Sequence, residues 1–237
     1  MTTYVLVHGA WSGGWIWRTV ADHLRDAGHV VYTPTLSGMG ERSHLLTRDI
    51  TLQTHIQDII NVVEYENLRD VALVAHSYGG MAATAVADRI PDKLSALIYL
   101  NAALPEDGQA MLDLVPPERK ETVIRLAEEE GGGLGIPSSL IMETGIEDDE
   151  EREAFMARTC LHPLGPQLET IHLGGHFQRV PTKAYVLAGM SNSHHFRSYM
   201  EWAQDEPGWV GEEIPSMHYP MITMPRETAD LLMRLTD

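Results

Sequence analysis

Ser77 is the residue on which chemistry can be built. It ends an apolar run, Val71-Ala72-Leu73-Val74-Ala75-His76, and is followed by Tyr78-Gly79-Gly80 and an alanine-rich amphipathic segment from Met81 to Ile90. A strand-length run closing on a serine between small residues, with a helix directly behind it, is the strand–turn–helix pattern of a nucleophile elbow. Small residues are needed at Ala75 and Gly79 because strand and helix pass close together at a sharp turn. The usual pattern has glycine at the first of these positions. A serine so placed points its Oγ out of the sheet and stands at a helix N-terminus, where backbone N–H groups stabilise negative charge. A buried strand ending at a helix N-cap serine has the same local pattern, so the reading depends on what else the chain supplies.

A serine nucleophile needs a base, and the base needs a group to orient it. His218 is the candidate base. It lies in Ser216-Met217-His218-Tyr219-Pro220-Met221, after the last expected strand (Trp209 to Ile214) and before an amphipathic helix from Glu227 to Leu235. At the other end of the chain, His8-Gly9-Ala10-Trp11-Ser12-Gly13-Gly14-Trp15 follows the apolar strand Thr3 to Val7. A glycine-rich loop in that place lets backbone N–H groups approach a ligand.

The elements that must position these residues alternate. A helix from about Ile16 to Ala27 is closed by Gly28, and a strand from Val30 to Thr33 is stopped by Pro34. After the polar loop Leu36 to His44, the segment Thr51 to Glu64 reads as a helix capped by Thr51, with Ile56, Ile59, Ile60 and Val63 on one face. The elbow follows, then an apolar strand from Leu94 to Leu100. Such alternation predicts an α/β fold: a mostly parallel central sheet with helices on both faces and ligands at the carboxyl ends of the strands. His8, Ser77 and Asn101 all fall at such ends. From about 111 to 178 the alternation stops. Helical pieces at Pro117 to Glu130 and Glu147 to Thr159, separated by Gly131-Gly132-Gly133, read as a small helical cap inserted into a single domain spanning 1–237. Thr182 to Ala188 resumes the sheet, Gly189 to His195 forms the loop after it, and Arg197 to Trp202 reads as a helix.

Composition narrows the function. There are 34 acidic and 17 basic residues, a formal net charge of −17, which argues against nucleic acid or an anionic membrane as partner. Between Glu118 and Glu153 alone stand twelve acidic and four basic residues, a solvated face that disfavours anionic substrates if it lines an entrance. The single cysteine, Cys160, excludes an intrachain disulfide. No signal-peptide pattern precedes the first strand and no apolar run approaches the ~20 residues that span a bilayer, so the expectation is a soluble, cytoplasmic protein. His162, His172 and His176 lack metal-ligand spacing and read as structural, and His55, on the helix Thr51 to Glu64, reads as a packed or surface residue and not a catalytic one. No metal and no organic cofactor is expected.

The sequence resembles the α/β-hydrolase superfamily, and within it the small-cap branch of plant methylesterases, hydroxynitrile lyases and their bacterial esterase and carbamate-hydrolase relatives. The matching pieces are Leu6-Val7-His8-Gly9-Ala10-Trp11, the elbow Ala75 to Gly80, His218-Tyr219-Pro220-Met221 with Pro225 behind it, and the loop Gly38-Met39-Gly40-Glu41-Arg42-Ser43-His44. The resemblance covers nearly the whole chain and is weakest in the cap. It implies Ser77 as nucleophile, His218 as base, and the backbone N–H groups of Ala10 and Tyr78 as the oxyanion hole. Tryptophans 11, 15 and 17 and methionines 39, 190, 217 and 221 flank the site loops; Trp11 and Met217 are the candidates for an apolar pocket.

The third member departs from the pattern. Enzymes of this kind usually carry Asp after the strand equivalent to Thr182–Ala188, and here Gly189-Met190-Ser191-Asn192-Ser193-His194-His195 holds no carboxylate. Relatives that place the acid after the earlier strand have Asp where this chain has Asn101. The Asn101 amide oxygen can accept a hydrogen bond from His218 Nδ1–H, which fixes the tautomer but supplies no charge. Asp107, with Glu106 beside it, is the alternative acid, although Pro105 carries the chain away from the strand end. In a serine protease, Asp→Asn in this role costs about 10⁴ in turnover. The leading function is therefore a serine hydrolase for an uncharged small-molecule ester or carbamate. The alternatives are an attenuated hydrolase acting as a small-molecule binding protein and a hydroxynitrile lyase-like enzyme, the last disfavoured because Tyr219 stands where such lyases carry lysine. The oligomeric state is left open.

Overall fold

The computed structural model describes residues 1–141, 144–191 and 194–237. Its strands are β1 (Thr3–Val7), β2 (Val30–Tyr32), β3 (Val71–His76), β4 (Leu94–Leu100), β5 (Gly135–Ile136), β6 (His162–Pro163), β7 (Thr182–Ala188) and β8 (Trp209–Ile214). Its α-helices are α1 (Arg18–Asp26), α2 (Leu52–Tyr65), α3 (Gly79–Arg89), α4 (Pro117–Glu129), α5 (Asp149–Met156), α6 (Gly165–Leu168), α7 (His194–Asp205), α8 (Pro220–Thr223) and α9 (Pro225–Thr236). The main sheet has six strands in the order β2-β1-β3-β4-β7-β8, and every neighbouring pair in it is parallel. The expected α/β sheet is the one the chain forms.

Side chains alternate across a strand, and here both sets are apolar. Val5, Val7, Leu73, Ala75, Leu97 and Tyr99 face one way and pack with α2 and α3 through Ile56, Ile59, Val63 and Met81. Tyr4, Leu6, Ala72, Val74, Ile98 and Leu100 face the other and pack with α1 and α9 through Val20, Leu24, Leu231 and Leu232. A continuous apolar strand such as β3 is stable only when both faces are covered. The helix starts follow local chemistry. Thr51 caps α2 in a reciprocal capping box with Thr54. Asp148 accepts from Glu151 N–H at 2.9 Å, and Asp149, Glu150 and Glu151 fill the first turn of α5. The acidic run therefore begins α5 later and makes it shorter than the expected Glu147–Thr159. Gly28, at φ +87°, closes α1 as expected, while residues 14–17 form a 3₁₀ turn before it instead of helix.

Between β4 and β7 the chain leaves the sheet. This stretch holds α4, α5, α6 and the antiparallel ribbon of β5 and β6. It has its own apolar cluster of Leu112, Val123, Ala127, Ile136 and Leu140, against which Trp11 packs from the loop after β1. Met142 and Glu143 in this stretch, and Asn192 and Ser193 in the expected loop Gly189–His195, lie outside the described residues.

Candidate active site

The parallel sheet brings the loops after β1, β3, β4, β7 and β8 to one edge. Ser77 leaves β3 at φ +52°, in the left-handed region that costs a non-glycine residue energy. Trp11 (φ +60°) and Asn101 (φ +46°) share that conformation, so strain gathers where the candidate residues meet. The elbow is as tight as its small residues imply: a Cβ on Gly79 would stand 2.7 Å from His8 O. A Cβ on Gly9 would stand 2.7 Å from Ser77 Cβ, which puts the loop after β1 directly against the serine.

His218 Nε2 lies 3.0 Å from Ser77 Oγ. The imidazole is sandwiched by packing. Phe196 stacks parallel to it at a centroid distance of 5.7 Å, and His76 lies at 4.6 Å on a tilted plane. His76 also donates from Nε2 to the His218 backbone carbonyl at 2.8 Å, so a fully buried histidine in β3 fixes the segment that carries the candidate base. Burial, then the neighbouring His218, push the His76 pKa well below the usual imidazole range, and it stays neutral.

Asn101 completes a line of three. Its Nδ2 lies 2.6 Å from His218 Nδ1, and it is fully buried. Its backbone N–H donates to Val186 O at 2.7 Å, and its Oδ1 accepts from Ala188 N–H at 3.2 Å. Asn101 therefore leans across β7 to reach the loop after β8. The Ala188 N–H can only donate, so it fixes the oxygen of the amide on its own side and leaves the amide nitrogen facing the imidazole. This corrects the expected contact, in which Oδ1 accepts from His218 Nδ1–H. An amide N–H facing Nδ1 calls for the lone pair there, which favours the tautomer with the His218 proton on Nε2, towards Ser77 Oγ.

Asp107, the alternative acid, is elsewhere. Its side chain is 64% exposed, accepts from Leu173 N–H at 2.8 Å and stands 4.0 Å from His172 Nδ1. Pro105 and the loop behind it carry Asp107 and the exposed Glu106 outward.

Ala10 and Tyr78 are buried, and neither backbone N–H has an acceptor among the described residues. Two buried donors left open on the segments that meet at Ser77 are what an anionic oxygen needs. Each is held from behind by a buried histidine. His8 donates from Nδ1 to Gly9 O at 2.8 Å and accepts Leu36 N–H on Nε2 at 3.0 Å, fixing the loop of Ala10. His55 accepts the Tyr78 hydroxyl on Nδ1 at 2.8 Å and donates from Nε2 to Ser37 O at 2.9 Å. Burial lowers both pKa values to about 4. His55 is thus structural, as its helix position implied. The supporting roles of His8 and His76 had no sequence signal beyond their place next to the loop and the elbow.

The expected pocket residues divide. Trp11 is half-buried and donates from Nε1 to Ile136 O at 3.0 Å, tying the loop after β1 to the β5–β6 ribbon. Met217 packs against Gly145 of the excursion, where a Cβ on the glycine would stand 2.6 Å from its own Cβ. Trp17, Met39 and Met221 are fully buried core, and Met190 is exposed. No group of three or more His, Cys, Asp or Glu side chains able to hold a metal occurs among the described residues.

A serine on a left-handed elbow, a histidine after the last strand and open N–H groups after the first define the site of an α/β hydrolase. The chain belongs to that family: the family model described as "Alpha/beta hydrolase family" matches residues 4–231. It is similar to a carbendazim hydrolyzing esterase of Nocardioides sp. (strain SG-4G), 38% identical over 99% of this chain and 100% of that protein. Methylesterase 9 of Arabidopsis thaliana is 27% identical over 100% of this chain and 99% of its own. Among solved structures, an extracellular α/β-hydrolase from a Paenibacillus species superposes with a TM-score of 0.87 at 23% identity, over 99% of both chains, and shares the fold.

Proposed function

We propose that this chain is a serine hydrolase of uncharged small-molecule esters or carbamates, acting through an acyl-enzyme on Ser77. The observation that carries the reading is the 3.0 Å contact of Ser77 Oγ with His218 Nε2 beside two open buried N–H donors. Similarity to a carbendazim hydrolyzing esterase and to a methylesterase supports the substrate class. Ser77 Oγ attacks the carbonyl carbon as its proton passes to His218 Nε2. The tetrahedral oxygen rests on the N–H groups of Ala10 and Tyr78. The C–O bond to the leaving group then breaks as His218 returns the proton to it, and water repeats the sequence to release the acid. The stretch between β4 and β7 acts as the cap: Trp11 and Met217 link it to the loops that carry Ala10 and His218.

The first step requires an unprotonated Nε2 with its lone pair available, and Asn101 favours the opposite tautomer. The neutral amide also leaves the imidazolium without a counter-charge. Both effects work against turnover, and the Asn101–His218 contact is the observation that keeps a second reading, an attenuated hydrolase serving as a small-molecule binder. A hydroxynitrile lyase-like reaction has less support, because burial holds the Tyr219 hydroxyl neutral with its pKa above the usual tyrosine range, and it offers no cation next to His218.

Hydrolysis of a p-nitrophenyl ester and of an N-aryl methyl carbamate by wild type and Ser77→Ala tests the proposal. Turnover by wild type, lost at least 10³-fold in Ser77→Ala, is expected. Binding of both compounds with no turnover dependent on Ser77 would favour the binder instead.

A further inference from the structure

Away from Ser77, one cavity runs against the charge of the chain. The protein carries 34 acidic and 17 basic residues. Yet Arg18, Arg25 and Arg158 line a single cavity of about 600 Å³, between the start of α1, the chain leaving β2 and the segment after α5. Gly14, Trp15 and Glu41 complete the part of the wall that matters here. None of these residues belongs to the catalytic line.

Arg25 is satisfied. It meets Asp22 at 3.3 Å and donates to Val31 O at 2.9 Å. Arg18 and Arg158 differ: neither side chain has a hydrogen bond or ion pair among the described residues. Other arginines have found carboxylates, as Arg42 with Asp58 at 3.3 Å and Arg125 with Glu129 at 2.6 Å show. Glu41 lines the same cavity but forms no ion pair with the three arginines. The guanidinium of Arg158 is laid over the Trp15 ring, 3.9 Å from its centroid, so its fork is held in place before any ligand arrives. Burial, and then the charge of Arg18, lower the pKa of Arg158, which stays positive at ordinary pH. The Trp15 indole N–H is buried and has no acceptor.

Two like-charged guanidinium groups stand exposed at this wall, and Glu41, the carboxylate in it, pairs with neither. A planar arginine fork takes carboxylate and phosphate oxygens alike, two at a time. We propose that this cavity is a second binding site, separate from the serine, which takes a small carboxylate or phosphate anion bridged by Arg18 and Arg158.

Inorganic phosphate and acetate, titrated separately into the full chain at constant ionic strength against sodium chloride, test this through tryptophan fluorescence. A saturable change with at least one of them, weakened tenfold or more in Arg18→Gln/Arg158→Gln and unaltered in Arg125→Gln, is expected. A response to phosphate alone identifies a phosphate-bearing ligand, and a response to acetate identifies a carboxylate. Retained Ser77-dependent hydrolysis in the double variant shows that it is folded. No saturable change with either anion, or the same affinity in the double variant, would overturn the site.

Discussion

A base must offer a lone pair, and the Asn101 amide nitrogen, 2.6 Å from His218 Nδ1, draws that lone pair to the Nδ1 side, away from Ser77. The arrangement follows from one backbone donor, Ala188 N–H, which claims the amide oxygen. A carboxylate would serve both neighbours, accepting from Ala188 with one oxygen and from His218 Nδ1–H with the other. At the same scale His76 positions the base through its bond to the His218 carbonyl. His76→Phe keeps the ring and deletes the donor. It is expected to lower kcat about tenfold, with KM little changed and stability reduced by ~1 kcal/mol; an unaltered kcat would remove that role. Ser77 and His218 were legible in the sequence because small residues, a strand and a following helix leave a local signature. The orientation of Asn101 was not, since it is set by a residue 87 positions away in β7.

At the scale of elements, β3, its turn and α3 hold the site together. The turn leaves no room at Gly79, where an added Cβ would meet His8 O at 2.7 Å. Gly79→Ala is therefore expected to cost about 1–3 kcal/mol, read from urea unfolding midpoints, and to lower turnover by shifting the loop that carries Ala10. Wild-type stability and turnover in this variant would contradict the packing account. Strand positions were legible almost to the residue, because buried parallel strands are short, apolar and bounded by polar turns. β4 begins at Leu94 and ends at Leu100 in the structure as in the sequence reading. The stretch between β4 and β7 was legible only as a break in alternation. Its two-residue strands have no periodicity to read, and they form because Gly135 and Ile136 meet His162 and Pro163 across the fold.

At the scale of the whole molecule, four histidines (8, 55, 76 and 162) are buried with pKa values held below the ordinary 6.5, His8 and His55 at about 4. The unfolded chain binds these protons at the ordinary value and the folded chain does not. The stabilisation is complete above about pH 6.5 and is lost as pH falls towards 4, by roughly 1.4 kcal/mol per pH unit for each histidine. Unfolding at pH 5 should take up at least two protons, measured as the slope of unfolding free energy between pH 6.5 and 5. Equal stability at those two values would contradict the burial of neutral histidines. The sequence marked His55 as a packed or surface residue by its helix and His162 as structural for want of metal-ligand spacing; their depressed pKa values depend on the tertiary packing that encloses them.

The central claim is that a serine nucleophile is served by a histidine whose tautomer an amide opposes. Its most direct measurement is the kcat/KM of wild type, Ser77→Ala and Asn101→Asp on one uncharged aryl ester. The account predicts Ser77-dependent turnover that rises by roughly 10²–10⁴ in Asn101→Asp, approaching the penalty that an Asp→Asn change imposes on a serine protease. A rate that is unchanged or lower in Asn101→Asp, or that survives in Ser77→Ala, would contradict it.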